Sequence, residues 1–287
     1  MARGLDHIVH AVRDLDACGA LYERLGFIVG ARNRHDWGTH NRIVQLPGTF
    51  IELLTFAEPD KLGSDGFSRL FGAYNRDFLA RHEGLSGLLL ESRDAATDAA
   101  RFRDAAIAAS DAMRFERGGR RPDGTPIRLA FSLAFARDPA GAEAAFATCQ
   151  HHFPENFWNP AFQAHRNGAT GVAGIVMVAE NPSDHHIFLS ALTGERELLA
   201  TSTGITVQTP RGTIQVMEPS AYQRHFGVAP PDLARGARLA ALVFSVRDRA
   251  QVAALLRQAQ IPAATHMERL VVGPQDAMGA TIVFEQS

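Results

Sequence analysis

A unit of one strand, one helix and three further strands recurs four times along the 287 residues of this chain. The first copy opens with the β-rich run 5–12, continues through a helix that ends at Gly26, and closes with the strand-like segment 50–54. Asp14 stands where it can cap the helix, and glycine is a common residue just after a helix. Random alternation of strands and helices would seldom repeat both this order and the helix cap, so the chain is expected to be modular.

The later copies of the first strand keep the same surroundings. The first strands of copies one, two and four end in a basic–acidic pair just before the helix: Arg13-Asp14, Arg93-Asp94 and Arg247-Asp248. The residues equivalent to His7 in the later copies are Gly87, Gly174 and Ala241. The repeat predicts an α+β fold made of four β-α-β-β-β modules.

Two segments interrupt the repeat and mark the organisation of the chain. Residues 58–83 join the first two modules, and residues 153–169, which are rich in aromatic and polar side chains, join the second and third. Loops of this kind either cover a site or pack over a domain joint, and both readings stay open. We expect two domains: residues 1–168 hold modules one and two with the site, and residues 169–287 hold modules three and four.

Composition limits the partners and the compartment. The formal net charge is -2, so nothing calls for nucleic acid as a partner. No stretch approaches the roughly 18 uninterrupted apolar residues of a membrane span, and no basic-then-apolar signal sequence precedes the first strand. Two cysteines, Cys18 and Cys149, cannot form a disulfide framework. We therefore expect a cytoplasmic protein that binds a small molecule, with a homodimer left open.

The opening Leu5-Asp6-His7 and the closing Phe50-Ile51-Glu52-Leu53 of the first module resemble the vicinal-oxygen-chelate superfamily, which includes glyoxalase I, extradiol dioxygenases and bleomycin-resistance proteins. The chain is similar above all to the bacterial glyoxalase-like domain group, through residues 38–42 and 149–155 with Trp158. This resemblance covers about residues 4 to 220. It implies two glyoxalase-like domains with curved mixed sheets, each formed by two paired modules, and metal ligands on the first and last strands of a module.

The resemblance implies His7 and Glu52 as ligands of a divalent metal ion. The last strand of module two offers Gln150, His151 or His152 as further ligands. Because alternate residues of a strand share a face, Gln150 and His152 form one pair and His151 lies opposite. Gln150 and His152 are taken as the inward pair, although two adjacent histidines leave a slip of one residue open.

The candidate ligands also have ordinary structural explanations. His7 is otherwise a hydrogen-bonded core histidine. Glu52 lies in an apolar run, where an unpaired charge is costly, so it needs a partner, either a metal ion or an arginine such as Arg42. Arginine can bind an anionic group of a substrate, and aromatic or amide side chains can line the mouth of a cleft. The residues expected to bind substrate are Arg42, Arg128, Trp158 and Asn159.

Three functions are compatible with these residues. The first is a metal-dependent enzyme (a lyase, isomerase or dioxygenase-like) that acts on a small oxygenated metabolite, with Glu52 as ligand or catalytic base. The alternative is a metal-free binding protein of the bleomycin-resistance type, and a structural role is a third reading. The residues that stand where ligands would stand in modules three and four are Gly174, Ala241, Gln215 and Val283. Any metal site should therefore be single and lie in the first domain. This argues against an extradiol dioxygenase, because the resemblance implies that those enzymes, with a similar four-module arrangement, hold their metal ligands in the second half.

Overall fold

The computed structural model describes residues 2–120 and 124–287, except for the side chain of Arg120. Its first eight-stranded sheet has the strand order β2-β3-β4-β1-β5-β8-β7-β6. β1 pairs in parallel with β4 and antiparallel with β5, which pairs in parallel with β8. The strands are β1 (Leu5–Ala11), β2 (Asn33–Arg34), β3 (Thr39–Leu46), β4 (Thr49–Phe56), β5 (Gly84–Glu91), β6 (Met113–Arg120), β7 (Pro126–Ala136) and β8 (Ala145–His151).

The second sheet repeats this topology with the order β10-β11-β12-β9-β13-β16-β15-β14. Its strands are β9 (Ala169–Val178), β10 (Leu198–Thr201), β11 (Gly204–Gln208), β12 (Thr213–Met217), β13 (Arg238–Val246), β14 (Ala264–His266), β15 (Arg269–Val272) and β16 (Thr281–Gln286). The prediction of four modules in an α+β fold is confirmed, and the modules pair in sequence order. The exact division at residue 168 stays a prediction.

Each module contributes one crossover helix, and three of these helices begin at the aspartates singled out in the sequence. Asp14, Asp94 and Asp248 each accept hydrogen bonds from the backbone N–H groups two and three residues further on. The helices are α1 (Leu15–Arg24), α2 (Tyr74–Arg81), α3 (Ala95–Asp104), α4 (Pro154–Phe157), α5 (His186–Thr193), α6 (Pro219–Phe226) and α7 (Arg249–Gln258), with 3₁₀ turns at Pro59–Lys61, Pro160–Phe162 and Pro182–His185 and a π-helical segment at Ser68–Ala73. None of the helices in the described ranges has the length and apolarity to cross a bilayer.

The main apolar core lies on the helix-bearing faces of the two sheets and is shared by both halves. Phe27 contacts Phe244 of the second sheet with ring centroids 4.7 Å apart, and Phe146 contacts Phe188 at 4.9 Å. Side chains on alternate residues of each strand point to the opposite, helix-free face. Ile8 of β1 thus joins the shared core, whereas Val9 joins a separate cluster on the helix-free face of the first sheet.

Both segments that interrupt the repeat reach this helix-free face. The segment after β4 places Phe67 and Phe71 over it, and the segment after β8 places Phe157 there. The segment after β8 also packs over the joint between the two halves, where Gln251 Nε2 of the second half donates to Arg166 O at 3.0 Å, so it both covers this face and lies on the domain joint.

Candidate functional site

A cavity of about 60 Å³ lies on the helix-free face of the first sheet, under the two covering segments. Its walls are mainly aromatic, formed by Trp37 and six phenylalanines that contact one another; Trp37 and Phe67, for example, stack with centroids 4.8 Å apart. The polar side chains that line it are His7, His35, Asn41, Glu52 and Arg117. A mostly apolar cleft with a few convergent polar groups is the usual form of a small-molecule site.

Asp6 and His7 meet at this face although they are neighbours in the sequence. The pairing of β1 with β5 is irregular at Asp6, because Leu5 lies opposite Leu90 while His7 lies opposite Leu89. Such a β-bulge re-aims a side chain relative to strict alternation. Strict alternation puts Asp6 on the face opposite His7, and for this reason the sequence alone did not reveal its contact with His7.

The Asp6 carboxylate fixes the orientation of the His7 ring. His7 Nδ1–H donates to Asp6 Oδ2 at 2.6 Å, since a carboxylate can only accept, and the ring stacks on Phe50 with centroids 4.3 Å apart. In the neutral imidazole the lone pair is then on Nε2, which lies 3.9 Å from Glu52 Oε2. The His7 side chain thus presents an electron-pair donor to a buried carboxylate.

Glu52 reaches the site because β4 pairs with β1 and places it beside Val9. Asn41 Nδ2 donates to Glu52 Oε1 at 2.6 Å, and Asn33 Nδ2 donates in turn to Asn41 Oδ1 at 3.0 Å. Burial raises the pKa of Glu52, while the neighbouring His7, the Asn41 hydrogen bond and the Arg117 charge lower it in part. The carboxyl group is therefore buried with incomplete compensation, which favours either a proton or a cation beside it.

His35 and Arg117 complete the polar part of the cavity. His35 Nδ1 lies 2.8 Å from Thr39 Oγ1, and burial together with the Arg117 charge lowers the pKa of His35 to about 3. Arg117 donates from Nη1 to Asn33 Oδ1 at 3.0 Å, and burial lowers the pKa of its guanidinium. Neither residue was among the predicted site residues; the alternation of Phe115 and Arg117 along β6 is the signal that places Arg117 on the cavity side.

A second polar cluster lies behind the His7 ring. It consists of a carboxylate oxygen of Asp6, a ring nitrogen of His7 and Cys149 Sγ, which all lie within 4.8 Å of one another. Among the described residues, this is the one group of three potential metal-ligand side chains that lie so close together. His151 Nε2 lies 3.0 Å from Asp6 Oδ1. Burial acts to raise the pKa of Asp6, but His151 and His7 together hold it far below its usual range, and burial raises the pKa of the Cys149 thiol.

The structure does not bring Gln150 and His152 to His7, which corrects the expected register of β8. Gln150 Oε1 accepts a hydrogen bond from the backbone N–H of Ala95 at the start of α3, and His152 Nε2 lies 2.8 Å from Ser132 Oγ. Both point to the helix-bearing side, and His151 is the inward residue, one position away. In the strand register, Glu52 opposite Val9 corresponds to Ala147 opposite Leu89, so module two offers no counterpart of Glu52.

The two arginines expected to bind substrate also lie outside the cavity. Arg42 shares the helix-bearing face of β3, where it donates to Gly30 O at 2.9 Å and to Glu23 Oε1 at 3.1 Å. Arg128 is exposed and donates to Glu116 Oε2 at 2.6 Å. The strand alternation that turns Phe131 and Leu133 inward turns Arg128 outward, so these arginines do not support the anion-binding role expected of them.

Trp158 and Asn159 lie near the rim of the cavity rather than in its wall. The Trp158 ring stacks on His151 with centroids 5.7 Å apart and contacts Phe50 at 6.0 Å. Asn159 Oδ1 accepts from Ala161 N at 3.0 Å and so caps a 3₁₀ turn, and its backbone N–H donates to Gln45 Oε1 at 3.0 Å. Trp158 therefore supports the aromatic rim, and Asn159 holds the covering segment in place.

Comparison with known proteins shows the family of the chain. Residues 5–193 match the model of the family described as a glyoxalase-like domain. No curated protein matches the sequence.

Solved structures share the fold at low sequence identity. A hypothetical protein from Staphylococcus aureus aligns with a TM-score of 0.70 and 10% identity over 99% of this chain and 100% of that chain. A mutant of 4-hydroxymandelate synthase from Streptomyces coelicolor aligns with a TM-score of 0.56 and 13% identity over 99% and 92%. A xylose isomerase-like TIM barrel/4-hydroxyphenylpyruvate dioxygenase fusion protein aligns with a TM-score of 0.54 and 14% identity over 99% of this chain, which spans 49% of that one.

These structural likenesses support the fold, whereas the family model matches about two thirds of the sequence itself, including β1 with His7 and β4 with Glu52. With four paired modules of the expected topology, the chain belongs to the glyoxalase-like domain family.

Proposed function

We propose that the cleft of the first domain is the active site of a metal-dependent enzyme that acts on a small oxygenated metabolite. His7 and Glu52 are the proposed ligands of a divalent ion. The observation that carries the proposal is the pair of His7 Nε2 and Glu52 Oε2, 3.9 Å apart and both buried in an aromatic cavity.

The donor atoms fit a shared ion. Metal–nitrogen and metal–oxygen bonds of about 2.0–2.2 Å allow two ligand atoms of one ion to be 3.9 Å apart. The hydrogen bond from His7 Nδ1–H to Asp6 is the kind of support that metal-bound histidines usually have. A cation would also offset the buried charge of Glu52.

The alternative set of Asp6, His7 and Cys149 fits an ion less well. The His7 and His151 hydrogen bonds already satisfy Asp6, and the Cys149 thiol holds its proton because burial raises its pKa. An ion there would have to displace both hydrogen bonds and the thiol proton, which lowers its affinity. We therefore assign Asp6 the role of positioning His7 rather than of binding the metal.

The residues of the chain divide the chemistry among them. A bound divalent ion supplies Lewis-acid polarisation of a substrate oxygen, and two protein ligands leave positions for water and substrate. Asn41 holds one oxygen of Glu52 and so orients its carboxylate for metal binding or for accepting a proton from the substrate. The aromatic walls and the covering segments exclude water from the reacting group.

A metal-free binding protein of the bleomycin-resistance type is the second candidate. It is favoured by one specific observation: Gln150 and His152, expected as further ligands, face away from His7. Two protein donors make a weaker metal site than three or four.

Metal analysis of the purified protein separates these two functions. We expect one equivalent of divalent metal, with an affinity that falls at least about a hundredfold in His7→Ala and in Glu52→Gln, measured by elemental analysis and calorimetric titration. Gln215→Ala is the matched control, because Gln215 occupies the position of Glu52 in the second sheet, opposite Val176. Unchanged metal content in His7→Ala, or no stoichiometric metal in the wild-type protein, contradicts the proposal.

A further inference from the structure

Arg117 is the one cationic side chain of arginine or lysine in the cavity wall of the described structure. It is half-buried on β6, and among the described residues its side chain makes one hydrogen bond, from Nη1 to the neutral Asn33 Oδ1. No carboxylate of the described residues lies within ion-pair distance of it. A guanidinium has five donors, so most of its binding capacity is directed to neither an acid nor the main chain.

Neighbouring arginines differ from Arg117 in this respect. Arg114 and Arg128, on the same hairpin, both pair with Glu116, at 3.3 and 2.6 Å. Arg42 pairs with Glu23 at 3.1 Å. Burying a cation without a partner is costly, and ligand sites are where such a cost is commonly accepted. Arg117 is partly desolvated and feels the charge of Glu52 only from beyond ion-pair distance, which points to an anionic ligand beside it.

The size of the cavity limits that ligand. A water-sized sphere occupies about 10–15 Å³, so 60 Å³ accommodates roughly four to six non-hydrogen atoms. The stacked rings of Trp37, His35 and Phe67, with centroids 4.6 and 4.8 Å apart, leave no slot for a further aromatic ring between them. In so small a space, a ligand that touches Arg117 also lies next to Glu52 and His7.

We infer that the cleft takes a compact monocarboxylate of two or three carbon atoms. Its carboxylate group binds the Arg117 guanidinium, and its second oxygen function, a hydroxyl or a carbonyl, faces His7 and Glu52. The role of that second oxygen rests on the proposed function, whereas the anion contact with Arg117 does not. Arg117 is then the residue that selects charged over neutral ligands, because an arginine fork matches the two oxygens of a carboxylate.

The test uses ligand-observed NMR with glycolate and pyruvate, their neutral amides, and phenylpyruvate as a larger acid. We expect pyruvate or glycolate to bind at least tenfold more tightly than the matching amide, and phenylpyruvate to bind more weakly than pyruvate. Arg117→Gln should weaken carboxylate binding at least tenfold and leave amide binding unchanged. Arg128→Gln, an exposed arginine on the adjacent strand, is the matched control and should stay within twofold.

Three results overturn the inference: neither small acid binds saturably, the amides bind as well as the acids, or Arg117→Gln binds the acids as the wild type does. Tighter binding of phenylpyruvate overturns the size limit. Arg117→Lys, which keeps the charge, guards against a misfolded glutamine variant, and thermal unfolding checks both. Titrations before and after EDTA treatment separate the two proposals, because carboxylate binding without metal contradicts only the proposed function, and metal without carboxylate binding contradicts only this inference.

Discussion

The two sheets have the same topology, yet their helix-free faces differ in what covers them. In the first sheet, the segment after β4 lies over the face and leaves a cavity that reaches His7 and Glu52. In the second sheet, the corresponding segment after β12 is α6, whose Tyr222 and Phe226 are buried in an apolar cluster with Val176 and Val283. Tyr222 OH donates to Thr281 Oγ1 at 2.7 Å and so pins α6 to the sheet.

This difference shows that the fold alone does not make a site. The strand register places Gln215 opposite Val176, as Glu52 lies opposite Val9, and it places Val283 opposite Val243. The second half thus keeps the backbone and fills the cleft with its own side chains. Function depends on the side chains that a shared fold presents, and for this reason we place the proposed activity in the first half.

The largest expected effect tests whether α6 is a true core element. Phe226→Ala removes a ring that is 1% exposed and should lower the free energy of unfolding by about 3–5 kcal/mol. Phe71→Ala, in the corresponding segment of the first half, borders an existing cavity and should cost about 2 kcal/mol, chiefly the lost burial. Urea denaturation measures both; equal costs would mean that the two covers are packed alike and would break the comparison.

A smaller effect is expected for the carboxylate that positions His7. Asp6→Asn should weaken metal binding about ten- to a hundredfold, because support of a metal-bound histidine contributes an effect of that size. Ser86→Ala, the equivalent position in module two, is the control and should leave the affinity unchanged. Calorimetric titration with Zn²⁺ or Mn²⁺ provides the measurement. Abolition of binding in Asp6→Asn would instead make Asp6 a ligand.

The smallest effect concerns the pH dependence of stability. The pKa of His35 falls from 6.5 to about 3 on folding, chiefly because the side chain is buried. Below pH 6.5 the imidazole of His35 is therefore protonated in the unfolded chain but stays neutral in the folded chain. Stability is therefore lost as the pH falls from 6.5 towards 3, and His35 should account for about 1 kcal/mol of the loss between pH 7 and 5.5. His35→Gln should reduce the acid sensitivity of unfolding by this amount; other histidines contribute equally to both proteins and cancel. An identical pH profile for the two proteins would contradict the buried, neutral state of His35.

The modular fold was predictable from the sequence, because each module is a local pattern with its own helix cap, as at Asp14 and Asp248. The site was predictable only in part. His7 and Glu52 follow from the resemblance, but the β-bulge at Asp6 depends on pairing with a strand about 80 residues away, and β8 carries two adjacent histidines that periodicity cannot orient. Strand alternation puts Arg117 on the same face of β6 as Phe115, but only the pairing of β6 with β7 and the curvature of the sheet bring that face to His7 and Glu52.

Cobalt binding followed by absorption spectroscopy tests the central claim most directly, namely that the first half alone holds a metal ion between His7 and Glu52. We predict one equivalent of Co²⁺ with no thiolate-to-cobalt charge-transfer band, lost in Glu52→Gln and kept in Cys149→Ala. A strong near-ultraviolet band that disappears in Cys149→Ala would place the ion with Asp6 and Cys149 instead, and no cobalt binding at all would contradict the metal-dependent function.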